Sequence, residues 1–297
     1  MTNLSSPPFN YVEDLQLKEL SIFNIKSKKY LSYILQTKIE TLKNIYKNPH
    51  NFYRFERKEI TKNGKIKIRN IEDPNGTLKP IHRLVHQLIS KIPTPDYLFS
   101  KKKSSCVLNA KAHSLANGFT LNIDITSFFP STKKYKVQDF FGCFLQYPRD
   151  VAEFMAEICT VNNYIPTGSP LSLMVAFWAN KPMFDELNTI SKSRNITMTI
   201  YVDDISFTGM AVNANFKKSV LEIIKRHNHK VNEDKIRFFG KKFKFINGIA
   251  IVDNQLKPNN KISKDVRKLR KTNDLQYINN LKGKTNYINY IKAVNEN

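Results

Sequence analysis

The sequence predicts an α+β fold built on antiparallel strands, and three stretches carry that prediction. Phe119 to Ile125 alternates: Phe119, Leu121, Ile123 and Ile125 lie on one side, Thr120, Asn122 and Asp124 on the other. That is the two-residue period of a half-buried strand with a carboxylate on its polar face. Residues 197–208 form a candidate hairpin, with Met198, Ile200 and Val202 alternating on the way in, Ile205 and Phe207 on the way out, and Asp203-Asp204 at the tip. Residues 52–72 form a second hairpin joined at Asn63-Gly64. Asn-Gly suits a type I′ turn, in which both central residues need positive φ.

Helical segments fill the intervals. Residues 11–50 space Leu31, Ile34, Leu35 and Ile39 as one or two helices would. In the hairpin that follows, Ile66, Ile68 and Asn70 share one face and Lys65, Lys67 and Arg69 the other. After the turn signal Asp73-Pro-Asn-Gly, a basic helix runs from near Leu78 to about Lys91, where Pro93 and Pro95 end it. Its His82 and His86 lack the glutamate of a zinc-protease motif and are expected to be ordinary polar residues on that helix. Residues 151–161 are helical in pattern. Pro166-Thr-Gly-Ser-Pro then opens another helix, with Ser169 as N-cap and Pro170 in the first turn. Leu171 to Leu187 is apolar nearly all round, so burial is expected, with a kink at Pro182. The C-terminal arm should hold three helices: residues 261–273 with Ile262, Val266 and Leu269 in one stripe, a second around Leu275, Ile278 and Leu281, and a third carrying Tyr287, Tyr290, Ile291 and Val294.

Charge narrows the function. The 297 residues carry a formal +23, with an apolar fraction of 41% that can still build a core. An excess of this size suits a polyanionic partner such as nucleic acid. Its distribution is more telling: +3 over residues 1–50, +9 over 51–120, −2 over 121–210, +4 over 211–240 and +9 over 241–297. Two basic arms flank an acidic middle, as an enzyme holding divalent metal over a phosphate backbone would require. The longest apolar run, Leu173 to Ala179, falls far short of a membrane span, so no membrane partner is expected. The first residues show neither the basic flank nor the apolar stretch of a secretory signal. Cys106, Cys143 and Cys159 form no CxxC pair, which disfavours a disulfide framework or zinc knuckle and fits a reducing cytoplasm.

The chemistry centres on Tyr201-Val-Asp-Asp. Adjacent carboxylates repel, so they belong at an exposed turn or around a cation. Mg²⁺, or Mn²⁺ in its place, takes oxygen ligands and leaves room for substrate phosphates. Asp124, on a strand 79 residues upstream of Asp203, supplies the further carboxylate. Asp124, Asp203 and Asp204 are therefore the candidate catalytic and metal-holding residues of a two-metal nucleotidyl transfer.

These residues resemble the motifs of reverse transcriptases. Tyr201-Val-Asp-Asp is similar to the YxDD signature. Asn122-Ile-Asp-Ile-Thr-Ser-Phe-Phe129 is similar to the first catalytic strand, Pro166-Thr-Gly-Ser-Pro170 to the Pro-Gln-Gly segment, and Val231-Asn-Glu-Asp-Lys235 to the Asn-x-x-Lys element. Arg69, Pro74, Lys79, Pro80 and Arg83 resemble the fingers block. Two further marks resemble bacterial retron reverse transcriptases: Asn109-Ala-Lys-Ala-His113 matches NAxxH, and Ile246-Asn-Gly248 stands where that family has Val-Thr-Gly. The chain departs from the pattern at Thr167, usually glutamine, and at Asn247, usually threonine.

The resemblance implies a right-hand polymerase architecture. Residues 1–50 would be an N-terminal helical segment, 51–118 the fingers, 119–250 the palm with a finger-helix insertion at 133–165, and 251–297 a short basic helical thumb. It implies RNA-templated DNA synthesis from dNTPs on a cognate structured noncoding RNA. Synthesis would be primed from a guanosine 2′-hydroxyl to give an RNA–DNA hybrid and branched multicopy DNA, in antiphage defence beside an effector or toxin protein. Phe129 would exclude a ribose 2′-hydroxyl, or be a plain core phenylalanine. Lys67 and Arg69 would meet the triphosphate, or lie on a solvated or template-facing strand. Thr167 and Gly168 would contact the nucleotide. Lys235 would lie near the pyrophosphate, or pair with Glu233 or Asp234. Asn109, His113, Lys264, Arg267, Lys268, Arg270 and Lys271 are the expected RNA contacts. The alternatives are another bacterial reverse transcriptase (group II intron, diversity-generating or abortive-infection type) and a non-catalytic RNA-binding scaffold restraining an effector.

Overall fold

The structure, a computed structural model, describes residues 20–62, 65–102, 105–270 and 277–296. In chain order the elements are α1 (Lys28–Ile34), α2 (Ile39–Lys47), β1 (Tyr53–Lys62), β2 (Lys65–Pro74), α3 (Leu78–Ile89), α4 (Ser105–Ser114), β3 (Phe119–Asp124) and α5 (Phe128–Ser131). Then follow α6 (Lys134–Asp139), α7 (Arg149–Cys159), α8 (Ser172–Ala179), α9 (Lys181–Lys192), β4 (Thr197–Tyr201), β5 (Asp204–Gly209) and α10 (Ala214–Arg226). Last come β6 (Arg237–Phe239), β7 (Phe243–Ile246), β8 (Ile249–Val252), β9 (Gln255–Pro258), α11 (Asn260–Leu269) and α12 (Ile278–Glu296). Among the described residues no helix is long and apolar enough to cross a membrane.

The chain folds as two units. The first takes in the described residues up to Thr94, with Ser127–Asp185 and His227–His229. Its hairpin pairs β1 with β2 from Tyr53↔Pro74 to Lys62↔Lys65. The expected turn residues Asn63 and Gly64 lie between these strands and outside the described residues. The core is aromatic: the Trp178 ring lies 6.0 Å from Phe140 and 4.8 Å from Phe144, and Phe177 stacks on Phe184 at 5.7 Å. Flat rings packed this way bury large area at little rotamer cost.

Two expectations about this unit are corrected. The 166–170 segment does not cap a helix: α8 begins at Ser172, after Leu171. Ser169 Oγ instead accepts from the Leu171 amide at 3.3 Å and lies 2.7 Å from His82 Nδ1. His82 is a polar residue of α3, as expected. It is fully buried, and its Nε2 lies 2.9 Å from the Ile158 carbonyl. The long apolar helix is not kinked at Pro182 but broken at Asn180, whose side chain donates to the Ala176 carbonyl and to Thr132 Oγ1. Pro182 becomes the second residue of α9, where a missing amide costs nothing.

The second unit takes in the described residues of Pro95–Thr126, Glu186–Arg226 and Lys230–Asn297. Its larger sheet runs β4-β5-β3-β6, all antiparallel, and a smaller one runs β7-β8-β9. The β3 strand is covered on both faces rather than half-buried. Leu121 and Ile123 are sealed on one side, and Thr120, on the other, shares a 2.7 Å hydrogen bond with Thr208. The α4 helix packs on the smaller sheet and on α12 through Val107, Ala110, Ile246, Ile251, Leu256 and Ile291.

Asn247 and Gly248 join β7 to β8 with φ of +46° and +84°. Asparagine tolerates that left-handed backbone better than most residues. In the C-terminal arm α11 presents Val266 inward, as its stripe predicts. The second and third expected helices are one continuous α12, and Leu275 lies outside the described residues. Asn295 locks this helix to β9 by exchanging hydrogen bonds with both backbone groups of Leu256 at 2.9 Å.

Buried histidines make the fold sensitive to acid. Burial lowers His82 from 6.5 to about 4. Burial, then the neighbouring Lys244 cation, lowers His113 to about 3. Burial, then Lys136 and His227, lowers His229 to about 3. All three are folded in the neutral form while the unfolded chain takes up protons near pH 6.5. The stability they contribute is therefore complete above that value and is lost as pH falls from there toward 4 for His82 and toward 3 for His113 and His229. Urea midpoints measured from about pH 7 to pH 5 should decline, and His113→Gln should make the decline shallower. A midpoint that does not move over that range contradicts this account.

Candidate active site

The three sequence-predicted carboxylates converge because of strand register. Asp124 ends β3 and pairs with Asp204, the first residue of β5, which also pairs with Tyr201 at the end of β4. Val202 and Asp203 make the two-residue connection. Oxygens of Asp124, Asp203 and Asp204 lie within 4.8 Å of one another. Asp124 is buried, Asp203 half-buried and Asp204 exposed.

Val202 has a φ of +61°. A β-branched residue there stores of order 1–3 kcal/mol and persists only where neighbours over-determine the turn. The Ile125 amide supplies one constraint by donating to the Asp203 carbonyl at 3.0 Å. On the other side of Asp124, the Thr126 amide donates to the Lys230 carbonyl at 2.8 Å and the Asn232 amide to the Asp124 carbonyl at 3.0 Å. The turn Glu233–Lys235 then brings Lys235 Nζ to 2.7 and 2.8 Å from the two oxygens of Asp124. The expectation that Lys235 pairs with Glu233 or Asp234 is thus corrected: its partner is Asp124. Three carboxylates and one ammonium leave a net negative, oxygen-rich cluster on a rigid strand end. That donor set fits a hard divalent cation, and Asp124, Asp203 and Asp204 would hold it.

The nucleotide candidates Thr167 and Gly168 belong to the first unit, where a carboxylate absent from the expected site organises them. Glu72 on β2 is 3% exposed. It accepts from Tyr164 Oη at 3.0 Å, the Thr167 amide at 3.0 Å and Thr167 Oγ1 at 2.9 Å. Thr167 Oγ1 also lies 2.9 Å from the Asn70 carbonyl. The Gly168 amide donates to the Glu72 carbonyl at 3.1 Å, and a Cβ at Gly168 would meet that oxygen at 2.8 Å. Glycine is required there by the close approach of the two backbones.

Glu72→Ala would strip the acceptor from three donors and should cost about 2–3 kcal/mol in unfolding free energy. Glu72→Gln, which keeps one acceptor oxygen, should cost less, and denaturant melts check both. Equal stability of Glu72→Ala and the parent chain would reject this role.

Phe129 is half-buried, while its neighbour Phe128 is the core residue, 5.9 Å from the His229 ring and 6.1 Å from Phe184. Arg69 is exposed on β2 opposite Lys58. The Lys67 backbone pairs with Ile60, and its side chain lies outside the described residues.

Asn109 and His113 are corrected. At 1% and 0% exposure neither can touch RNA. His113 is held between Thr208 Oγ1 and Thr199 Oγ1, each at 2.7 Å, and its carbonyl accepts from Lys244 Nζ at 2.9 Å. Asn109 donates to the side chain of Asn247. The two retron-like marks, 138 residues apart, thus meet in one hydrogen bond. In the arm, Lys264, Arg267, Lys268 and Arg270 are exposed on or beside α11, and Lys271 lies outside the described residues. The residues not foreseen from the sequence are Glu72 and the pairing of Lys235 with Asp124. Only the Asn-Gly dipeptide at 247–248, a turn signal in its own right, could have flagged the β7–β8 turn.

Comparison with known proteins bears out the retron resemblance. The retron Ec86 reverse transcriptase of Escherichia coli is 25% identical over 205 residues, 68% of this chain and 63% of that protein. The retron Se72 reverse transcriptase of Salmonella heidelberg is 27% identical over 183 residues, 60% of this chain and 47% of that protein. The matched stretch therefore spans less than two thirds of these relatives' own length. No family model matches the chain. Among solved structures, the telomerase of Candida albicans in complex with the TWJ fragment of telomeric RNA superposes with a TM-score of 0.50 at 10% identity. That match covers 69% of this chain and 46% of the other. It bears on the fold alone, and the expected α+β, right-hand polymerase class is borne out.

Proposed function

We propose that this relative of the retron reverse transcriptases is an RNA-templated DNA polymerase. It would extend a guanosine 2′-hydroxyl of a cognate structured noncoding RNA into branched multicopy DNA, in the cytoplasm. The observation that carries the proposal is the convergence of Asp124, Asp203 and Asp204 at one end of three paired strands. Bound there, Mg²⁺ or Mn²⁺ would activate the attacking hydroxyl and offset charge on the leaving pyrophosphate. Lys235 offsets carboxylate repulsion at Asp124. In this proposal Lys67 and Arg69 neutralise the triphosphate, Phe129 excludes a ribose 2′-hydroxyl, and Thr167 and Gly168 frame the incoming dNTP. The basic face of α11 holds RNA backbone. Residues 51–118 serve as fingers, 119–250 as palm with the 133–165 insertion, and 251–297 as thumb. Antiphage defence beside an effector protein follows from the same resemblance.

The test has two arms. Purified chain should extend oligo(dT) on poly(rA) with dTTP and Mg²⁺. Co-expression with the structured RNA encoded beside its gene should yield a small multicopy DNA that resists separation from RNA until debranched. No incorporation in the first arm rejects the polymerase. Incorporation without a branched product rejects retron-type priming.

A further inference from the structure

At the opposite end of β3 from Asp124, the surface has a different character. The β6 strand is the outer edge of its sheet, and Arg237-Phe-Phe-Gly-Lys-Lys-Phe243 leads from it into β7. Phe238 is 50% exposed and Phe243 46%, although Phe238 pairs with fully buried Leu121. The Phe238 ring lies 5.9 Å from Phe119, and Lys241 Nζ lies 5.5 Å from the centroid of that same Phe119 ring. Phe243 stands edge-on to Phe239 at 5.8 Å. Arg237, Lys241 and Lys242 are exposed along this edge. Half-exposed rings side by side with cations, on a sheet edge that no other strand among the described residues covers, are costly to leave facing water.

We infer that this edge is a second nucleic-acid contact, a stacking platform for unpaired bases of RNA. Phe238 and Phe243 offer faces to bases, and Lys241 and Lys242 offset the phosphates that join them. Exposed Arg237, Lys241 and Lys242 outnumber the carboxylate of nearby Asp253, whose amide donates to the Lys242 carbonyl, and this excess favours a polyanion over an apolar protein face. A duplex keeps its bases stacked inside, so the ligand is a single-stranded segment. Phe238 is registered opposite Leu121, three residues from Asp124 along β3, roughly 10 Å. The platform therefore meets nucleotides a few positions away from the reacting hydroxyl. The inference rests on the RNA-templated function proposed above and adds a binding site to it.

The test uses the full chain and two probes, a short fluorescein-labelled pyrimidine oligoribonucleotide without structure and a blunt RNA duplex. Changing both Phe238→Leu and Phe243→Leu keeps apolar volume but removes the rings. It should weaken binding of the single-stranded probe by about tenfold or more, while Phe238→Tyr with Phe243→Tyr stays near wild type. Duplex affinity and the kcat for poly(rA)-templated extension should hold in both variants. Wild-type affinity of the leucine variant for the single strand overturns the inference and marks the patch as an apolar docking face. So does an equal loss in the tyrosine variant, or a wild-type chain that does not bind the probe. If the leucine variant melts differently from wild type, Lys241→Gln with Lys242→Gln decides. It should weaken the single strand several-fold and flatten the salt dependence by about one to two counterions, and an unchanged salt slope overturns the inference. Failure of the polymerase proposal appears separately, as absence of extension by the wild-type chain.

Discussion

Asp203→Asn is expected to abolish templated nucleotide addition, lowering kcat by about a thousandfold or more, while leaving a folded chain. Asn keeps the shape of the side chain but removes one of three charges whose oxygens lie within 4.8 Å. The backbone constraint at this position, the Ile125 amide on the Asp203 carbonyl, does not involve the side chain. Asn is isosteric with Asp, so the metal-free variant should remain folded. Single-turnover primer extension reads the first effect, Mn²⁺ titration followed by electron paramagnetic resonance reads the loss of affinity, and calorimetry without metal reads the third. Asp124→Asn should be as inactive but should melt lower than Asp203→Asn, because it alone breaks the two contacts to Lys235. Retained synthesis in Asp203→Asn would remove the carboxylate cluster from the mechanism.

Gly118→Ala should give the largest loss of stability. Gly118 has a φ of +124°, and a Cβ there would sit 2.1 Å from the Gly209 carbonyl carbon and 2.3 Å from its oxygen. Backbone strain and overlap with main-chain atoms that cannot rotate away together cost about 4 kcal/mol, a fall of about 10 °C in Tm or loss of soluble protein. Gly76→Ala separates the two causes, since Gly76 also has positive φ, +47°, but nothing within 4 Å of a new Cβ. It should cost only about 1 kcal/mol. The consequence of Gly118→Ala reaches the site. Phe119↔Gly209 begins the register that ends at Asp124↔Asp204. Displacing the start of β3 disturbs that register, and a slip of one residue would turn Asp124 to the opposite face. Equal Tm values for the two alanine variants would show that the close approach does not limit stability.

Much of this protein was determined by sequence alone. The alternation from Phe119 to Ile125, the Tyr201-Val-Asp-Asp hairpin and the apolar stripe of α11 are local patterns, since side-chain direction repeats every two residues in a strand and every 3.6 in a helix. They placed the strands and named the three carboxylates. What only the tertiary structure decided is the partner of each buried polar group. Lys235 meets Asp124 across 111 residues, Thr167 meets Glu72 across 95, His113 meets Thr208 across 95 and Asn109 meets Asn247 across 138. Asn109 and His113 have the composition of surface RNA contacts, yet packing seals them inside. The physical reason is one of range. Periodicity shows which face of an element is apolar, but a buried donor takes whichever acceptor long-range packing brings within 3 Å, and nothing in the neighbouring residues encodes that choice.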